Sequence, residues 1–146
     1  MHTAEEVMSI RQRIDDATYL WDSGRREGAF LSALIAVAAM SRRKYPQKGD
    51  REAFEQFLKD GCAARVSVEF RGELHPVEHI FYKWLRCELV HDAGIPIDIQ
   101  FMADDGPGLS LRAGGAPEYV LKLSYGWFHH LLNTAANAVE NRGVLG

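Results

Sequence analysis

The residues best suited to chemistry are Arg86 and His91, in Arg86-Cys-Glu-Leu-Val-His91 near the end of an aromatic-rich helical segment. One is a permanently charged guanidinium and the other an imidazole that titrates near neutrality. On a regular helix the two lie about 140° apart around the axis and about 7.5 Å apart along it. They do not stack as an i, i+4 pair does. Both line one cleft only if Arg86 folds back along the helix, or if two copies of the helix meet. The plainer alternative is a surface arginine beside a helix-capping histidine, with no joint role.

Those residues need a helix to carry them. Val77, Phe81, Trp84 and Glu88 fall on one face, flanked by Ile80 and Leu85, with Arg86 nearly opposite. Pro76 fits the first helical position and Gly94 the stop. Glu88, a carboxylate on an apolar face, needs a partner such as an arginine or an indole N–H.

The Arg86–His91 spacing and its setting resemble the R-x4-6-H signature of HEPN domains, helical bundles that carry the motif near the end of a late helix. The resemblance covers the helical order over most of the chain, but not the segment after Gly94. It implies an RNA-directed protein, a metal-independent endoribonuclease of toxin-like type, paired as a homodimer. His91 would then move the proton and Arg86 would hold the scissile phosphate. The RNA 2′-hydroxyl would be the nucleophile, leaving 2′,3′-cyclic phosphate ends without any cofactor or metal. An antitoxin is the corresponding kind of protein partner. The position after the motif arginine is often polar in active members, and here it is Cys87, a weak hydrogen-bond donor. The alternative is a non-catalytic HEPN-like helical module that binds a nucleotide, a nucleic acid or a protein.

Other candidates carry less. Arg42-Arg43-Lys44 ends the second helix, where cations answer the helix dipole; Arg42 and Arg43 are also candidate contacts to RNA. Arg25-Arg26 is a weaker candidate of that kind. His129 and His130 are adjacent and point about 100° apart, so they cannot chelate one ion. His130, Asn133 and Asn137 read as a solvated stripe. His75 and His79 have i, i+4 spacing, but the helix starts between them, so no zinc site is expected. Asp104-Asp105-Gly106 lacks the remaining ligands of a calcium loop. Gly106-Pro107-Gly108 and Gly114-Gly115 are turns.

The elements that position these residues follow from periodicity. Thr3 and Glu6 form a capping box before a first helix with Val7, Ile10, Ile14, Ala17 and Trp21 inward, stopped at Gly24. A second helix from Arg26 to the basic run is apolar on nearly every side and belongs in the middle of a bundle. Asp50 reads as the N-cap of a short third helix with Phe54, Phe57 and Leu58 inward, closed by Gly61. Arg65 to Phe70 reads as an extended linker. Ile95 to Met102 and Leu109 to Leu123 alternate as a small β-hairpin or meander of two or three strands. Ser124 caps a last helix with Phe128, Leu131, Leu132, Ala135 and Val139 on one face. Trp21, Trp84 and Trp127 read as packing.

The expected architecture is one mainly α domain over 1–146, a bundle of about five helices with a β-hairpin or meander inserted before the last. The 146 residues, 47% hydrophobic and 25% charged, are ordinary for a globular domain. A net charge of −3 argues against coating nucleic acid by bulk electrostatics and leaves a local basic patch open. Cys62 and Cys87 form neither a disulfide scaffold nor a zinc module. The start of the chain lacks a signal-peptide pattern. The most apolar run, Ala29 to Met40, is far short of the roughly 20 residues that cross a bilayer. A cytoplasmic protein with no membrane association is the expectation.

Overall fold

The computed structural model describes residues 4–61, 66–88, 93, 94, 96, 98–102, 111, 112 and 120–141. Thr3, Cys62, His91 and the expected turns at 104–108 and 114–115 lie outside the described residues, as do the side chains of Glu6, Val7 and Val139.

The chain is mainly helical. Helices α1 (Ala4–Asp22) and α2 (Arg26–Lys44) form a hairpin closed at Gly24, whose φ of 82° is a left-handed conformation. There the Gly24 N–H donates to the Trp21 carbonyl at 3.0 Å and the Arg25 N–H to the Leu20 carbonyl at 2.9 Å. This pair of bonds is the Schellman closure that glycine permits. Helix α2 is the central element expected from its composition. It buries Phe30, Leu34, Val37 and Met40 together with Ala29, Ala33, Ala36 and Ala38, and it packs against α1, against α3 (Asp50–Asp60) and against the last helix, α5 (Gly126–Asn141).

Between α3 and the fourth helix lies a hairpin where a linker was expected. Strands β1 (Ser67–Phe70) and β2 (Glu73–Pro76) pair antiparallel, with Phe70 opposite Glu73. The two turn residues, Arg71 and Gly72, both have positive φ, 54° and 82°. That is the type I′ geometry matching the twist of paired strands. Pro76 closes β2 and is the N-cap of α4 (Val77–Ile80), one position earlier than its sequence reading.

Helix α4 continues into a π-helical stretch, Phe81–Arg86, in which the Cys87 N–H reaches back five residues to the Tyr82 carbonyl. The uniform α-helical step assumed for Arg86 therefore does not hold there. Ile80, Phe81, Trp84 and Leu85 are buried as expected.

The β segment before the last helix is present. Strand β4 (Leu111–Arg112) pairs antiparallel with β5 (Leu121–Ser124), and β3 (Ile99–Met102) adds to the other edge of β5 in parallel. Phe101 of β3 stacks on Phe30 of α2 at 4.3 Å, which seats this sheet on the central helix. Ser124 ends β5 and is fully buried, and α5 begins two residues later at Gly126, so Ser124 does not stand at the cap position. Trp127, Phe128, Leu131 and Ala135 of α5 face inward. Phe128 stacks on Trp21 at 4.2 Å and Trp127 meets Phe81 at 5.3 Å, joining α1, the π-helical stretch and α5 in one apolar cluster. Gly61 is the C-cap of α3, and a Cβ there would lie 2.6 Å from the Thr134 Cγ2 of α5.

Candidate functional site

Two arginines singled out separately in the sequence meet at one carboxylate. Asp50 is the first residue of α3; Gly49 takes the N-cap place, and no side chain caps the helix. The Asp50 carboxylate is drawn instead toward α4 and the end of α2, where charged and phenolic donors outcompete its own backbone. Its Oδ2 lies 3.0 Å from the Arg86 Nη1 and accepts a hydrogen bond from the Tyr82 hydroxyl at 3.0 Å. Its Oδ1 is 3.4 Å from the Arg42 Nε. That approach is a charge pairing without an aligned hydrogen bond, and Oδ1 is buried with no hydrogen-bond partner.

The π-helical stretch supplies the other half of the geometry. Tyr82 and Arg86, four residues apart, reach the same carboxylate, and the guanidinium lies 5.5 Å from the Tyr82 ring centroid. The Tyr82 ring meets Phe54 edge-on at 5.4 Å, which fixes it against α3. Burial, and next the hydrogen bond to Asp50, push the Tyr82 phenol up to about 12, so it stays a donor throughout the neutral range. Arg86 is 21% exposed and also lies 3.9 Å from the Cys87 Sγ.

Beside Asp50 lies a recess of 360 Å³ lined by Arg42, Tyr45, Pro46, Lys48 and Asp50. Arg42 is 63% exposed there. The Tyr45 hydroxyl donates to Asp60, which also takes Gln56 at 2.8 Å and Lys44 at 3.5 Å. Burial alone would lift the Asp60 carboxyl, but the bonds from Tyr45 and Gln56 and the charge of Lys44 more than offset it, and it titrates below the usual range. Arg43 takes a different course from its neighbour: its Nη1 donates to the Ala39 carbonyl of its own helix at 2.9 Å. Arg42 and Arg86 are thus brought together, and Arg43 is directed elsewhere. His91 lies outside the described residues.

The seam between α3 and α4 continues past this site. The His79 Nδ1 is 3.2 Å from Glu55, which also pairs with Arg51 at 3.7 Å, and the His75 Nε2 is 3.5 Å from Glu73. The His75 and His79 rings stack at 5.4 Å, both against Trp84. Stacked rings do not converge on one ion, and no group of three metal-ligating side chains occurs among the described residues.

Sequence reasoning missed Asp50 as a site residue, and it missed Arg71. Arg71 grips Asp98 through two bonds, Nε to Oδ2 at 2.8 Å and Nη2 to Oδ1 at 2.9 Å. The hydrogen bond holds the Asp98 carboxyl low and raises Arg71, to which the charge of Glu88 adds. Glu88 thus acts electrostatically on an arginine, in keeping with its need for a partner. On α5, Asn133 and Asn137 are exposed, while burial alone lowers the pKa of His130.

No helix among the described residues is long and apolar enough to cross a membrane. No curated protein and no solved structure matches the chain. A family model does match, over residues 9–145, and the chain belongs to that family, Rv1289.

Proposed function

We propose that this member of the Rv1289 family is an RNA-directed, HEPN-like protein: a metal-independent endoribonuclease of toxin-like type, acting in the cytoplasm as a homodimer. The observation that carries this reading is the convergence of Arg42 and Arg86 on one anionic group beside an open recess. Two guanidiniums aimed at one oxyanion are suited to a phosphodiester, whose charge grows during cleavage.

In this mechanism the RNA 2′-hydroxyl attacks the adjacent phosphorus while His91 takes its proton. The bond to the 5′-oxygen breaks, that oxygen takes the proton from the His91 imidazolium, and the products are a 2′,3′-cyclic phosphate and a 5′-hydroxyl. Arg86 offsets the charge on the phosphoryl oxygens, and Arg42 holds the strand. Two copies meeting about a two-fold axis bring the same helix end of each into one cleft, so that Arg86 and His91 need not reach each other within one chain. An antitoxin is the protein partner that this activity calls for.

A second reading has its own support. The commitment of Arg86 to Asp50, and Cys87 at the next position, favour a non-catalytic module of the same type that binds nucleic acid, a nucleotide or a protein. Incubation of the purified chain with mixed-sequence RNA in EDTA separates the two. The nuclease loses cleavage in both Arg86→Ala and His91→Ala while keeping its fold. The module cleaves nothing, loses affinity in Arg86→Ala and is indifferent to His91→Ala.

A further inference from the structure

We propose that Asp50 is a built-in competitor for phosphate: its carboxylate occupies the position between Arg86 and Arg42 that an RNA phosphodiester takes, and RNA binds by displacing it. The proposal rests on the reading of Arg86 as a phosphate contact and adds a regulation of that site.

The donors around Asp50 include two guanidiniums, which hold a phosphate oxygen as readily as a carboxylate oxygen, while the Tyr82 hydroxyl ties the carboxylate in place. The carboxylate fits them only in part. Its Oδ2 takes both Arg86 and Tyr82, whereas its Oδ1 is buried without a hydrogen bond, facing the Arg42 Nε at 3.4 Å. A phosphodiester, with its tetrahedral oxygens, can serve Arg42 and Arg86 from different atoms. The recess gives it an approach: Arg42 and Lys48 line that opening together with Asp50 itself. Asp50 also has somewhere to go. It sits on the first turn of α3, so the displaced carboxylate turns to solvent and remains at the positive end of the helix dipole. While it stays in place, Asp50 neutralises Arg86 and repels phosphate, so the isolated chain is held in a low-affinity state.

The test is equilibrium binding of a fluorescein-labelled, mixed-sequence single-stranded RNA to the full chain in EDTA at fixed ionic strength. Asp50→Asn tightens binding by about ten-fold, the effect of removing one close like charge. The gain disappears in Asp50→Asn/Arg86→Ala. Unchanged affinity in folded Asp50→Asn overturns the proposal, and so does a gain that survives without Arg86, which marks a bulk-charge effect. Tyr82→Phe provides the decision if Asp50→Asn does not fold. It keeps the ring against Phe54, removes one donor from Asp50 and gives a smaller, Arg86-dependent gain of about three-fold; no gain overturns the proposal. Cleavage by the parent with no gain from either variant leaves the nuclease standing and the competitor refuted. Tighter, Arg86-dependent binding with no cleavage by any variant refutes the nuclease and leaves the competitor standing.

Discussion

The Asp50 carboxylate and the Arg86 guanidinium, 36 positions apart in sequence, stand 3.0 Å apart where the first turn of α3 meets the π-helical stretch after α4. The pair ties the short third helix to the segment that carries the candidate chemistry, and Tyr82 shares the same oxygen.

A double-mutant cycle on this pair should show coupling. Arg86→Ala removes the close cation from the Asp50 carboxylate, leaving Oδ2 with the Tyr82 hydroxyl, and costs about 1–2 kcal/mol, reduced from a fully buried charge pair by solvent access to both groups. Asp50→Ala costs a similar amount, and the double variant costs less than the sum. Urea denaturation of the four proteins measures it; strict additivity would mean that the contact contributes nothing.

Gly61 is required for space. Gly61→Ala forces its Cβ against the Thr134 Cγ2, which a hydrogen bond from Oγ1 to the His130 carbonyl at 2.7 Å holds in place. The expected loss is about 1–3 kcal/mol, typical of overpacking. Thr134→Ser keeps the hydroxyl and removes the offending methyl, so Gly61→Ala/Thr134→Ser recovers most of that loss in thermal denaturation. An uncorrected double variant contradicts the packing account.

Much of the helical frame was legible because it is local. An α2 apolar on nearly every side belongs in the middle, and the aromatic run that follows α4 marks a buried face. Arg42 and Arg86 stood out by type and position. Their meeting point did not, because an aspartate at a helix start reads first as a cap, and only the tertiary neighbours Tyr82 and Arg86 redirect it. The π-helical stretch is hidden because six residues of altered step barely disturb a 3.6-residue pattern. The first hairpin was missed because Arg71-Gly72 lacks the Asn-Gly or Asp-Gly signature of its turn. The Arg71–Asp98 grip joins residues 27 apart, a distance that no periodicity records.

His130 should make the fold acid-sensitive. Burial disfavours its imidazolium, so its folded pKa lies below the unfolded value near 6.5. The native state then binds fewer protons than the unfolded chain, and stability is full above about pH 6.5 and is lost as pH falls below it toward the folded value. Unfolding midpoints in urea at pH 7.5 and 5.5 should differ more for the parent than for His130→Gln. Equal differences would place the acid sensitivity elsewhere.

Cleavage by the 2′-hydroxyl route is written in the chemistry of the RNA ends. Mixed-sequence RNA is incubated in EDTA with the parent and with His91→Ala, and the fragments are identified by mass spectrometry. That route gives fragments ending in 2′,3′-cyclic phosphate and beginning with 5′-hydroxyl, from the parent alone. Intact RNA with folded, dimeric parent, or equal cleavage by His91→Ala, contradicts it.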